Sequence, residues 1–307
     1  TRLNAALNGV DNVETRAGSF FEPVAAEQFD LVVANPPYVV SPETAYLFRD
    51  GGMRGDGVSE LVVRGIPQRL APGAFACVLI AWALDPDDPT ERPRAWLEGS
   101  SCDAFLLHTS TDDPIETATL WNRDLADRPE AYADALDRWL AYYGELGIER
   151  LGYACLVLRK RADGGRPAEG WVEALQLPRQ ALRPAGRHVA RLFETHDRLA
   201  GDAAGRALLD RRVRVADEAV LSRDNRFHAG RWRAEAPTLR LGAGLPFTAE
   251  LDPPTARLLA GLDGSQTLGQ ALAAAVEAVD AREEGLELAR RMLEIGFLEL
   301  ADGEDAR

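Results

Sequence analysis

The chain of 307 residues is almost without lysine: Lys160 stands alone beside 34 arginines. The bias reads as gene base composition, not function. Cysteine is scarce too. Cys77, Cys102 and Cys155 share no metal-ligand spacing. Cys77 and Cys155 sit inside apolar runs, where the expected role is that of small buried hydrophobes. Of the four histidines, His188 and His196 are eight apart and can share a helix face. No Cys or His at ligand spacing completes a set, so no metal is expected. No nucleophile elbow supports Ser-His-Asp hydrolysis. The best apolar stretch, residues 74–84, is strand-sized and far short of a membrane span of about 20 residues. No charged-then-apolar leader opens the chain. A cytoplasmic, reducing location away from membranes is therefore expected.

Hydrophobic residues make up 46% and charged residues 27%, enough to bury a core of useful size over two domains. The net charge of −14 argues against a simple electrostatic grip on nucleic acid. It is unevenly spread. Residues 1–161 carry a net −10 and residues 236–307 a net −7, whereas residues 162–235 hold 14 basic against 11 acidic side chains. Only this middle stretch could meet a phosphate backbone. Its arginines at 211, 212 and 214, and those from 223 to 233 with Phe227 and Trp232 interleaved, form a candidate nucleic-acid stripe. A solvated, salt-bridged face is the plainer expectation.

Pattern along the chain predicts alternating elements. Residues 1–9 read as the end of an amphipathic helix stopped at Asn8-Gly9. A helix without a preceding strand suggests an N-terminally truncated chain. Residues 29–33 are a continuous apolar run, expected to be a fully buried parallel strand. Residues 59–70 carry a helical stripe made imperfect by Pro67. Pro72-Gly73 is a turn before a strand at 74–82, and strands follow at 104–108 and 150–161. Helices are predicted at 94–98 and 129–144. This is an α/β layered fold, its late strands able to supply an antiparallel edge. A linker-like Gly-rich stretch begins at 163. Beyond it, 173–177 and 213–221 read as strands and 188–209 as helix. Then come a strand at 239–245, helices at 253–262, 267–280 and 283–295, and a strand after Gly296. That order suggests a winged-helix-like module. The expected parts are therefore 1–162, an Arg-rich connection over 163–235, and 236–307.

The chemistry concentrates at Asn35-Pro36-Pro37-Tyr38, immediately after the apolar strand. In open α/β sheets ligands bind beyond the carboxyl ends of strands. The Asn35 side-chain carbonyl can accept one N–H of an incoming NH₂ group, and the Pro36 carbonyl the other. Two prolines fix the backbone so that both acceptors are held in advance. Tyr38 offers a flat face to a planar amide or base. Two acceptors on one NH₂ also aim its nitrogen lone pair, and such positioning can lower a barrier by roughly 7–11 kcal/mol. Asp50, Asp56 and Glu60, near the glycine-rich loop at 51–57, read as loop carboxylates instead of bases.

The stretch from Phe29 through Val40, with Asn35-Pro36-Pro37-Tyr38 at its centre, resembles the fourth motif of class I N-methyltransferases that modify amino groups. These include release-factor glutamine methyltransferases and the adenine- and guanine-amino methyltransferases of DNA and ribosomal RNA. Residues 3–9 resemble the helix after the cofactor's ribose-binding acid, and Gly18-Ser19-Phe20-Phe21 the segment contacting adenine. Residues 48–57 and 70–73 resemble the glutamine-methyltransferase branch. The resemblance covers roughly residues 1–160. It implies a partial Rossmann-like class I methyltransferase sheet lacking its first strands, followed by a smaller α+β winged-helix-like region. It further implies S-adenosyl-L-methionine as cofactor, with Ser19, Phe20 and Asn35 as its retained contacts, and Asn35, Pro36, Pro37 and Tyr38 as catalytic residues. The substrate would be a release-factor-like protein or a nucleic acid. The family's glycine-rich cofactor loop and second-strand acid have no counterpart here, so this chain alone is expected to bind cofactor weakly and to be inactive by itself. The competing expectation is a nucleic-acid- or protein-binding module carrying a degenerate, cofactor-free catalytic half.

Overall fold

The computed structural model describes residues 1–44, 49–162, 170–178, 184–201, 206–275 and 279–301. They form two compact units, Thr1–Gln176 and Leu177–Arg307.

The first unit runs α1 (Arg2–Leu7), β1 (Phe29–Ala34), α2 (Gly57–Gly65), β2 (Leu70–Ala83), α3 (Glu91–Leu97), β3 (Cys102–Asp112), α4 (Pro114–Trp121), α5 (Pro129–Leu146), β4 (Leu151–Lys160) and β5 (Val172–Gln176). Its five-stranded sheet has the order β1-β2-β4-β3-β5. β1 and β2 are parallel, as are β3 and β5, while β4 runs antiparallel to both β2 and β3. The reversed strand thus lies inside the sheet, not at its edge. Alternate residues point to one face. Ala76, Val78, Ile80 and Trp82 of β2 join Ala154, Leu156 and Leu158 of β4 there. Val58, Val62 and Val63 of α2 and Trp96 of α3 cover them.

Two expectations change. β1 is not a fully buried strand: Leu31 is 61% and Val33 72% exposed. Its one pairing partner among the described residues is β2. Leu31 and Val33 pair with Phe75 and Cys77, on the face opposite the α2–α3 core. Pro72-Gly73 lies within β2, not before it. There the β1–β2 register slips, from Phe29↔Leu70 to Leu31↔Phe75, with Gly73 at φ 80° taking up the bend. Helix α2 does end where Pro67 forbids an i−4 hydrogen bond, and a 3-10 turn continues it. Helix α4 was not foreseen, although Asp113 and Glu116 form a reciprocal capping box at its start. Cys77 and Cys155 prove to be neighbours on adjacent strands, Sγ to Sγ 3.0 Å.

The second unit contains α6 (Gly186–Leu199), β6 (Arg212–Val215), β7 (Ala219–Ser222), β8 (Asn225–His228), β9 (Arg231–Ala234), β10 (Thr238–Leu241), β11 (Thr248–Glu250), α7 (Pro253–Ala260), β12 (Asp263–Thr267), α8 (Leu268–Ala275), α9 (Val279–Glu294) and β13 (Leu298–Leu300). Antiparallel sheets β12-β6-β13 and β11-β10-β7 enclose, with α7 to α9, a core that includes Val213, Leu239, Leu241, Leu268, Leu293 and Phe297. The described residues of the Arg-rich stretch contribute to both units. Its β5 belongs to the first unit's sheet, and its β6 is the central strand of a second-unit sheet. The expected strand at 213–221 is two strands, β6 and β7. The expected helix at 188–209 ends at Leu199, and Ala207–Asp210 is a separate 3-10 turn. The strand expected over 239–245 stops at Leu241. Thr267 caps α8: it accepts from the Gln270 N–H, and its own N–H donates to the Gln270 side chain. Part of the expected 267–280 helix, residues 276–278, lies outside the described residues. Among the described residues no helix is long and apolar enough to cross a membrane.

Candidate functional site

β1 delivers its last residue to the carboxyl end of the sheet, and Asn35 follows directly. Asn35 is exposed, and its side-chain amide makes no hydrogen bond to the described residues. Pro36, Pro37 and Tyr38 are half-buried. The Pro36 carbonyl accepts the Tyr38 N–H at 2.8 Å, closing a three-residue turn. One of its two lone pairs is used in this way, and the second is left for another donor. The Tyr38 ring packs against the cluster of Val39, Val40, Trp139, Tyr143 and Leu151, and burial pushes its phenol pKa up. It is therefore part wall, part open face, and not a fully free stacking platform.

Three devices hold the motif. The Tyr143 hydroxyl, fully buried, donates to the Val40 carbonyl at 2.8 Å. Tyr38 forms a β-bridge with Asp50. Gly51 lies so close that a Cβ there would be 3.0 Å from the Pro37 carbonyl oxygen and 2.1 Å from a Val58 methyl. The glycine is a packing requirement that a single sequence does not announce.

The carboxylates near the loop are structural. Asp50 is clamped by Arg49, which donates to both of its oxygens at 2.6 and 3.1 Å. Arg49 also reaches Glu43 at 2.9 Å and the Trp121 carbonyl at 3.1 Å, and lies over the Trp139 ring. Asp56 accepts from the Ala83 N–H at 3.1 Å and from Arg92 at 2.7 Å. Ser59 adds a 2.7 Å bond to the Ala81 carbonyl. Helix α2 is thereby pinned to the end of β2, and the loop before it is held over the motif. Glu60 pairs with Arg64 on the helix surface.

Ser19 and Phe20 lie elsewhere. They line an open cleft of about 650 Å³ against Met53, Gly57 and Leu61. Phe20 holds a positive φ of 43° and leaves 41% of its surface exposed. The cleft's walls do not include Asn35, Pro36, Pro37 or Tyr38. The structure therefore brings the two expected adenine contacts together on one side of α2, and the four motif residues together at the end of β1.

Two of the four histidines, His108 and His188, are engaged in structure. His108 Nε2 contacts the Ser110 carbonyl and the Thr111 hydroxyl. His188 bridges two backbone groups at Leu245 and Ile295. Among the described residues no cluster of three or more His, Cys, Asp or Glu side chains is arranged to hold a metal ion.

Comparison with known proteins finds one family model and several curated relatives that resemble parts of the chain. Residues 190–299 match a domain of unknown function, DUF7782. The chain is also 31% identical over 137 residues to the release factor glutamine methyltransferase of Xylella fastidiosa strain Temecula1, covering 41% of this chain and 43% of that protein. It is 26% identical over 126 residues to the ribosomal protein uL3 glutamine methyltransferase of Bradyrhizobium diazoefficiens, covering 36% of this chain and 39% of that protein. The chain thus spans less than half the length of these curated relatives. Among solved structures, a Galdieria sulphuraria protein assigned as a sarcosine dimethylglycine methyltransferase is similar at 15% identity, with a TM-score of 0.32 over 53% of this chain and 64% of that one. At that score no residue correspondence follows.

Proposed function

We propose that this polypeptide carries the substrate-gripping part of an S-adenosylmethionine-dependent N-methyltransferase acting on the side-chain amide of glutamine in a protein. One observation carries the reading: Asn35 presents an exposed, unpartnered amide at the carboxyl end of β1, on a backbone fixed by two prolines. The curated relatives support a protein glutamine over a base amino group.

The Asn35 side-chain carbonyl accepts one amide hydrogen of the substrate. The free lone pair of the Pro36 carbonyl accepts the other. Held at both hydrogens, the nitrogen has its lone pair directed out of the amide plane. Tyr38 limits the amide to one orientation by contact with its plane. The residues present fit the proposed cofactor in part: the Phe20 ring and the apolar walls of Met53 and Leu61 suit a flat base, with Ser19 as a polar contact. When bound, S-adenosylmethionine supplies an electrophilic methyl group. Transfer of the methyl group leaves the amide nitrogen positively charged, so its extra proton is lost to water afterwards without a strong base; Asp50 and Asp56 are already paired with arginines. The order of α7, α8 and α9 about the β12-β6-β13 sheet supports a winged-helix-like reading of the second unit, with β6 supplying its central strand from earlier in the chain.

The test is methyl transfer by the whole protein from radiolabelled S-adenosylmethionine to a release factor or ribosomal protein, with peptide mass mapping of the product. Label on a glutamine amide supports the reading. Label on nucleic acid alone moves the substrate to a base. Absence of transfer together with absence of cofactor binding by titration calorimetry leaves a binding module with a degenerate catalytic half.

A further inference from the structure

We propose that the hairpin of β8 and β9 is a docking surface for single-stranded nucleic acid. All eight strand residues are exposed, and the two strands form a sheet of their own. A two-stranded hairpin is marginal in water, and two large aromatic rings left side by side in solvent are unusual. Yet Phe227 is 58% and Trp232 69% exposed. They pair directly across the strands, edge to face, with ring centroids 5.3 Å apart. The turn that joins the strands places Ala229 at φ 50° and Gly230 at φ 79°, which matches the strand twist.

Strand alternation gives the ribbon two faces. Phe227 and Trp232 lie on one. Arg226, His228, Arg231 and Arg233 lie on the other, with Arg226 opposite Arg233 and His228 opposite Arg231. Arg226 is paired with Glu235. Arg231 and Arg233, and Arg223 just before the hairpin, are exposed and meet no carboxylate among the described residues. In a protein of net charge −14, three unpaired arginines about one small ribbon mark it for a polyanion. Guanidinium groups grip phosphates, while bare rings stack on bases. Bases offer their faces only when unpaired, and this favours a single strand over a duplex, whose grooves offer edges.

The probe is a fluorescein-labelled 12-nucleotide single strand, as RNA and as DNA, titrated with the full chain and followed by anisotropy. A hairpin duplex and anionic phospholipid vesicles are run beside it. Single strands of either sugar should bind. Three phosphate contacts predict that log affinity falls with log salt at a slope of about −2. Phe227→Ala with Trp232→Ala should weaken binding at least tenfold and leave that slope unchanged. Arg231→Gln with Arg233→Gln should weaken binding and flatten the slope to about −0.7. The Arg231 and Arg233 side chains make no ion pair among the described residues, so melting of their variant should not move. Phe227→Leu with Trp232→Leu, which keeps an apolar pair across the strands, should bind as weakly as the alanine pair. Equal binding by both double variants and the parent, tighter binding to the duplex, or binding to vesicles alone would overturn the proposal. The assay needs neither cofactor nor methyl transfer, so its failure leaves the proposed amide methylation standing.

Discussion

His188 accepts the backbone N–H of Leu245 on Nδ1 at 3.0 Å, which requires its proton to be on Nε2, where it faces the Ile295 carbonyl at 3.1 Å. The ring is wedged between Gly244 and Gly296, at φ 92° and 79°. A Cβ at either would come within 2.7 Å of a ring nitrogen. One neutral imidazole thus ties α6 to two backbone turns of the second unit.

That arrangement carries a pH signature. Burial, aided by Arg191 nearby and opposed by the Ile295 hydrogen bond and Glu218, lowers the His188 pKa to about 4 from 6.5. The folded form thus resists protonation that the unfolded chain accepts. The stabilisation is complete above pH 6.5 and is lost as pH falls toward 4. It amounts to something on the order of 3 kcal/mol. Denaturant midpoints of the second unit measured between pH 7 and 4 should fall over that window. His188→Gln should be less stable at pH 7 and show a flatter profile. A wild-type midpoint constant over the window would refute the linkage.

Tyr143→Phe should destabilise the first unit by about 1–3 kcal/mol, the cost of leaving the buried Val40 carbonyl without its donor. Urea unfolding monitored by tryptophan fluorescence reads this directly. An unchanged midpoint would mean that another donor reaches Val40.

Gly51→Ala should press on both Val58 and the Pro37 carbonyl. We expect a loss of about 1–3 kcal/mol from overpacking, and lower methyl transfer because the turn at Pro36-Pro37 is displaced. Adding Val58→Ala removes the nearer clash and should restore part of both. A double-mutant cycle with no coupling between the two positions would show that contact with Val58 is not the source of the loss.

Asn35→Ala removes an exposed side chain without a partner, so stability should stay within about 0.5 kcal/mol of the parent. Turnover should fall about a hundredfold or more, the usual scale for losing one positioned hydrogen-bonding group. Steady-state methylation by the whole protein gives the answer, and near-normal turnover would remove Asn35 from the chemistry.

Much of the fold was legible because local rules and burial agree. The apolar stretches at 29–33, 104–108 and 150–161 read as strands and fall within or over β1, β3 and β4, whereas the helix expected to end at 144 runs on to Leu146, where Gly147 takes the left-handed conformation. The motif at Asn35 was legible because prolines restrict the backbone without outside help. Other features existed only as weak local signals. The capping box of Asp113 and Glu116 is a local signal that lies between stronger patterns. The β8–β9 hairpin looked like a run of arginines, since its pairing, and therefore its aromatic and cationic faces, depends on the turn at Ala229-Gly230.

The sequence by itself determined where the chain has to turn, at Asn35-Pro36-Pro37, and which segments favour strands, because those properties reside in proline geometry and apolar periodicity. Only the tertiary structure decided strand order, the placing of the reversed strand β4 inside the sheet, the exposure of Leu31 and Val33, and the use of Asp50, Asp56 and His188 as structural partners. Each of these depends on what lies opposite a residue across tens of positions of chain, and proximity of that kind is not encoded in any local window.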